Sequence, residues 1–403
     1  MLGLTGCVLV EKTIKKNYNN YTRLICEITC GELMRKLYLD NIKWIVIVLV
    51  VVYHVQSMYS EMSMPNAIGT IFEGHRYLDL FTYIVNPWFM FLMFIISGMS
   101  TRYYLEKHSV KEFIKSRTLK LFVPSFVGLF FFGWIHGYYT AQIQGIWDSY
   151  LTNPNLSKLA IWGLLTACGI GQLWFLQVLW IFSMVIVLLR FLKVDKLFSY
   201  TKKANTLIII LLSIAVWFMS QILNSSIIDA YRFGRYFSAF IIGYLFFSND
   251  EVIEKMKSRW YVFLIIAVPL GVVNVVTGWA AAFKTTDSNM TVWGIAYCYF
   301  MAVAVLVVMA KWGNFTNKFT EFMRKKSWGI YLFHYMLIKV SVWYIHLYAD
   351  GMPVIFKYLI PLAVGFAGSY VLYEIISRIP VLRWCLCGIY NKKTKQIKGE
   401  QNG

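Results

Sequence analysis

The sequence predicts an all-α protein: a polytopic membrane helical bundle of about ten transmembrane helices, with both termini cytoplasmic. Three observations carry this. The 403 residues are 58% hydrophobic and only 15% charged, whereas a soluble domain carries about 25% charge. Ten apolar runs recur along the chain, each near the roughly 17–25 residues that cross a bilayer as a helix. The 39 Lys and Arg residues, which leave a net charge of +19, are unevenly spread: six alternate segments hold 31 of them and the intervening loops hold 4. That alternation is the positive-inside pattern, and one missed crossing would scramble it. On a polar chain the same excess would point to nucleic acid; the apolar runs exclude that class.

Residues 1–33 are polar and irregular, and are expected to be a poorly ordered extension or a misassigned start, with Met34 a more natural beginning. They do not read as a signal peptide, because the apolar stretch is short and the basic residues follow it. The membrane domain is placed at 34–384 and a basic cytoplasmic tail at 385–403. The first span, 42–60, is entered through Asp40 and Lys43 and runs through β-branched residues to Tyr53 and His54. At 100° per residue Asp40, Lys43 and His54 share one face, with Lys43 and His54 about 16 Å apart along the axis. Spans two and three, 80–100 and 121–140, flank a basic loop ending in Arg117 and Lys120. This i,i+3 pair suits a phosphate or carboxylate, and plain topology explains it equally well. Span three carries His136.

The stretch from about 141 to 171 reads as the largest outer loop, so no soluble domain is expected. Span four, 172–192, opens on Gln172 and Trp174. Spans five to seven are 206–223, 231–248 and 260–277, the three shortest. Arg232 and Arg235 share a face at the outer start of span six, where they either snorkel to the interface or line a site. Spans eight to ten are 292–310, 328–348 and 356–376; span nine holds His334 and Lys339, and span ten holds Glu374. None of the ten alternates with the period of two that marks a barrel strand.

Ionisable groups inside a bilayer are costly and tend to mark sites. His54 is the leading candidate, because imidazole exchanges a proton near neutrality; a buried hydrogen-bonding role is the alternative. Lys339 is expected to meet a carboxylate or a wet cavity. The seven cysteines are odd in number and scattered, which supports neither a disulfide framework nor a metal site. No metal and no bound cofactor are expected.

Five motifs recur in order. Leu39-Asp40-Asn41-Ile42-Lys43 precedes an apolar run ending in His54; Asn86-Pro87-Trp88-Phe89 leads to Ser97-Gly98; Arg117-Thr118-Leu119-Lys120 leads to Pro124. Gly171-Gln172-Leu173-Trp174-Phe175-Leu176 and Ser327-Trp328-Gly329-Ile330-Tyr331-Leu332-Phe333-His334 follow. Over about Arg35 to Trp384 this resembles the acyltransferase-3 family of membrane O-acyltransferases, with the glucan-succinylating type nearest in pattern. Lys43 and Lys120 stand where the family has arginine, which keeps charge but loses the planar fork. Gln172 stands where it has histidine.

The resemblance implies transfer of an acetyl or succinyl group from cytoplasmic acyl-CoA to a hydroxyl of an envelope polysaccharide, glucan or lipid-linked saccharide. It implies His54, Lys43 and Asp40 as catalytic, Arg117 and Lys120 as donor-binding, and Gln172, Trp174, Arg232, Arg235 and His334 as acceptor-side or supporting. Acyl-CoA would be a substrate, not a bound cofactor, and the partners would be donor, saccharide acceptor and membrane lipids, with no nucleic acid. Two rivals stay open: a saccharide or small-anion transporter, and a catalytically weakened sensor or partner subunit.

Overall fold

A computed structural model describes residues 36–60, 77, 79–145, 153–224, 231–281 and 290–390. The proposed extension 1–33 and the tail beyond 390 lie outside the described residues. Among those described, the regular elements are helices, and strand-type pairing is confined to an isolated bridge between Asn224 and Arg232. The chain is an all-α polytopic membrane bundle.

The helices in order are α1 (Leu37–Met58), α2 (Asp79–Lys107), α3 (Val110–Ile143), α4 (Lys158–Cys168), α5 (Gly171–Phe191) and α6 (Thr206–Met219). They continue with α7 (Phe233–Phe247), α8 (Trp260–Ala281), α9 (Val292–Trp312), α10 (Lys318–Ala349) and α11 (Val354–Arg378). Eight of these are long and apolar enough to cross a membrane; α6 and α7 are the two expected spans that fall short. The 14 residues of α6 rise only about 21 Å, against a hydrocarbon core of about 30 Å. Its ends explain the difference. Asn205 caps the start by accepting from the Ile208 amide at 3.0 Å, and Ser220 ends the helix with its hydroxyl turned back to the Val216 carbonyl at 2.7 Å. The expected short span seven is instead the full-length α8, with 22 residues.

The outer loop is also corrected. It contains α4, which packs back along α3. A Cβ on Gly137 would lie 1.9 Å from the Leu165 carbonyl oxygen, and one on Gly169 would lie 1.8 Å from that of Gly133. Further along, Trp180 Nε1 donates to Thr118 Oγ1 at 3.2 Å. So α4 and then α5 run antiparallel to α3, interrupted once around Gly169–Gly171. Small residues let helix backbones approach closely where lipid supplies no hydrophobic drive. The same device crosses α2 over α7, where a Cβ on Gly98 would meet the Phe240 carbonyl oxygen at 2.0 Å and one on Gly243 would meet that of Ile95 at 2.1 Å. Around this crossing Phe91, Leu92, Phe94, Ile95, Ile96 and Met99 are fully buried, which makes α2 the centre of the core.

Polar contacts sort the helix ends into two sets. At one end Asp195, after α5, binds Arg102 of α2 at 3.0 Å and Arg190 of α5 at 3.0 Å, and accepts from the Tyr244 hydroxyl of α7 at 2.6 Å. Lys36 pairs with Asp250, Asn41 Nδ2 donates to the Gly313 carbonyl at 2.7 Å, and Lys326 pairs with Glu374. At the other end Gln56 Nε2 reaches Asp79 at 3.1 Å, Tyr83 reaches the Gly278 carbonyl at 3.0 Å, and Tyr231 reaches Gln177 at 2.6 Å. These contacts gather the helix ends on two sides of the bundle, with α7 reaching Asp195 at one side and Gln177 through Tyr231 at the other.

Candidate active site

Two cavities lie one beyond the other along the polar face of α1. The first, about 230 Å³, is lined by Tyr53 and His54 of α1, Asn86 and Pro87 of α2, Gly171, Gln172 and Trp174 of α5, Arg232, Arg235 and Tyr236 at the start of α7, and Tyr331 and Tyr335 of α10. The second, about 260 Å³, is lined by Asp40 and Lys43 of α1, Arg117 of α3, and Arg324, Ser327 and Tyr331 of α10, among others. It lies nearer the basic end of the bundle, and the first nearer the opposite end.

Each wall has a local cause. Pro87 sits inside α2 and has no amide hydrogen, so the Tyr83 carbonyl loses its helical donor. Asn274 Nδ2 of α8 takes that place at 3.0 Å, from a fully buried position. The Pro87 carbonyl itself receives Arg235 Nη2 at 3.1 Å, which fixes a buried guanidinium at the cavity. Across from it, the break between α4 and α5 brings Gly171 against the His136 ring. Gly171 has φ +45°, and a Cβ there would lie 2.7 Å from His136 Cε1, so glycine is required twice over. The break frees Gln172 to cross-link to α10: its Nε2 donates to the Leu332 carbonyl, and its own carbonyl accepts from the Tyr331 hydroxyl.

His54 is half-buried and stacks on Tyr335 at 3.9 Å between ring centroids, with His334 5.3 Å away. His334 is fully buried, and its Nδ1 faces the Tyr331 carbonyl at 2.8 Å and the Ile330 carbonyl at 3.1 Å. Carbonyls only accept, so Nδ1 carries the proton and Nε2 keeps its lone pair. His54 Nδ1 and His334 Nε2 have no hydrogen-bond partner among the described residues. His54 therefore lies in the cavity wall as a base whose orientation rests on ring stacking. Trp174 packs on Tyr236 at 5.4 Å and offers an apolar face to a ligand.

The inner cavity is cationic. Arg117 Nη2 donates to Thr101 Oγ1 at 3.1 Å, and its guanidinium lies 5.1 Å from the Phe113 ring centroid. Arg324 and Lys43 add two cations against one lining carboxylate, Asp40, which Lys43 meets at 3.4 Å. Such a set attracts phosphates.

The residues singled out in the sequence divide three ways. His54, Gln172, Trp174, Arg232 and Arg235 meet at the first cavity, with His334 behind His54. Asp40, Lys43 and Arg117 meet at the second, so Asp40 and Lys43 share the helix face of His54 but not its chamber. Lys120 is exposed and lines neither cavity, its backbone lying beside Gly388. Of the remaining polar groups, His136 is buried behind Gly171 and Glu374 pairs with Lys326. Lys339 donates to Thr140 Oγ1 at 2.5 Å and sits 4.5 Å from the Tyr335 ring centroid. Asn86 and Tyr331 were read only as motif positions, and Arg324 and Tyr335 were missed. Arg324 lay in a basic loop that topology already explained, and Tyr335 was hidden in a chain that is 18% aromatic.

A family model described as an acyltransferase domain, that of the acyltransferase-3 family, matches residues 36–374. No curated protein and no solved structure matches the chain.

Proposed function

The chain belongs to the acyltransferase-3 family, and from that premise we propose that it is a multi-pass cell-membrane O-acyltransferase with both termini cytoplasmic. It moves an acetyl or succinyl group from cytoplasmic acyl-CoA to a hydroxyl of an envelope polysaccharide, glucan or lipid-linked saccharide. The observation that carries this reading is the pairing of chambers: a cationic one at the basic end, and one holding His54 at the other.

Arg117, Arg324 and Lys43 hold the donor's phosphates, with Asp40 orienting Lys43. Lys43 and His54 are separated along α1 by about 16 Å, eleven residues at 1.5 Å each, a gap for the long pantetheine arm rather than for a bond. The acceptor enters from the other end and stacks a sugar face on Trp174. His54 takes the proton of its hydroxyl as the oxygen attacks the thioester carbonyl. The C–S bond then breaks, the new ester stays on the acceptor, and His54 returns the proton to the departing thiolate, which leaves as free coenzyme A. His334 supports the ring of His54 from behind. Gln172 has no proton to exchange, and its bonds to α10 give it a scaffolding role.

The test is acceptor-dependent release of free thiol by the purified protein supplied with acetyl- or succinyl-CoA, with a matching mass gain on the glycan. A transporter would leave the thioester intact. His54→Ala that inserts normally and still transfers at the parent rate would remove His54 from the mechanism.

A further inference from the structure

The two chambers are separated by a wall about one helical turn thick. On three helices the liners of the two cavities sit three residues apart: Ile47 and Val50 on α1, Met93 and Met90 on α2, and Trp328 and Tyr331 on α10. On α5 they are adjacent, Phe175 and Trp174. Three residues of helix rise about 4.5 Å. Among the described residues, Tyr331 alone lines both chambers. It is 5% exposed, stacked on Trp328 at 5.9 Å and set edge-on to Phe175 at 6.1 Å. Its hydroxyl is tied to the Gln172 carbonyl at the helix break, while Gln172 Nε2 ties back to Leu332, the residue next to Tyr331.

We propose that Tyr331 is the gate between donor and acceptor chambers, latched shut by the Gln172 carbonyl. This rests on the acyl-transfer reading. In the latched state the phenol ring fills the wall. For the thioester to reach His54 the ring must swing aside, releasing one hydrogen bond, and Met90 and Met93 beside it are the kind of unbranched side chain that repacks readily. The closed ring keeps water in the outer chamber away from the donor, so Tyr331 positions the thioester and protects it from hydrolysis without itself exchanging a proton. The glutamine matters through its backbone and its grip on α10, which explains how a side chain unable to shuttle protons serves at this position.

The gate can be read without catalysis. Val50 lines the outer chamber just beyond the wall. In Val50→Cys, sealed vesicles exposing the basic end are treated with a charged, membrane-impermeant thiol reagent, and labelling at position 50 is followed by peptide mass spectrometry. Slow labelling is expected with Tyr331, and labelling more than tenfold faster with Tyr331→Ala. Tyr331→Phe keeps the plug and loses the latch, and is expected to raise labelling about fivefold, the population shift set by one hydrogen bond of about 1 kcal/mol. If the alanine variant does not purify as a folded species, the phenylalanine variant carries the test. Labelling equal to that of the parent overturns the gate. In parallel, acceptor-free thiol release from acyl-CoA should rise in the same order. If the parent protein releases no thiol even with acceptor, the acyl-transfer reading fails, while the labelling rates still decide whether Tyr331 separates the chambers.

Discussion

At the scale of single residues, the proposed reaction rests on His54. A positioned general base contributes about 10²–10⁴-fold, so His54→Ala should lower turnover at least a hundredfold and leave donor affinity unchanged, as read by a kcat against KM comparison. Arg117→Ala should do the reverse, raising the KM for acyl-CoA about tenfold, the effect of losing one charged hydrogen bond. Gly171→Ala tests the wall behind the site. It combines a left-handed backbone with a Cβ 2.7 Å from the His136 ring, and should cost about 2 kcal/mol, seen as a lower thermal midpoint in detergent. His54 stood out in the sequence as an imidazole interrupting an apolar run, and the structure places it in a cavity wall. Tyr331 was legible only as a position in the Ser327 to His334 motif; its place in the wall shows only once its hydroxyl is seen on a backbone carbonyl 159 positions away.

At the scale of elements, the site is made by interruptions of helices. Pro87 opens α2 and frees a carbonyl for Asn274; Gly169 to Gly171 separates α4 from α5 and frees Gln172. Asn274→Ala would remove the fully buried side chain that donates to the Tyr83 carbonyl, and should cost about 1–2 kcal/mol, measured by the same thermal midpoint. The proline was visible in the sequence, but its partner was not, since Asn274 lies in an otherwise apolar run. The lengths of α6 and α7 were misjudged for a related reason. Apolar windows run on to 223 and start at 231, whereas α6 ends at Met219 and α7 begins at Phe233. The α4 helix was read as loop because its 11 residues are too few to span, and only its packing on Gly133 and Gly137 shows that it continues the line of α5.

At the scale of the whole molecule, the distribution of charge predicts alternating crossings, and the contacts of Asp195, Asn41 and Glu374 draw helix ends together on one side of the bundle. On the proposed topology much of the +19 excess orients the chain. A small part, Arg117, Arg324 and Lys43, faces the inner chamber, while Arg232 and Arg235 face the outer one. That two-sided arrangement makes a directional claim: the donor is used from the basic side and the product forms on the other. The most direct measurement reconstitutes the protein in sealed vesicles of defined orientation, with isotope-labelled acyl-CoA confined to the basic side and saccharide acceptor to the other. Labelled ester should appear on the acceptor in step with free thiol on the donor side, and both should vanish in His54→Ala. Ester formed only when donor and acceptor share one side, or formed equally well without His54, would contradict transfer between the two chambers.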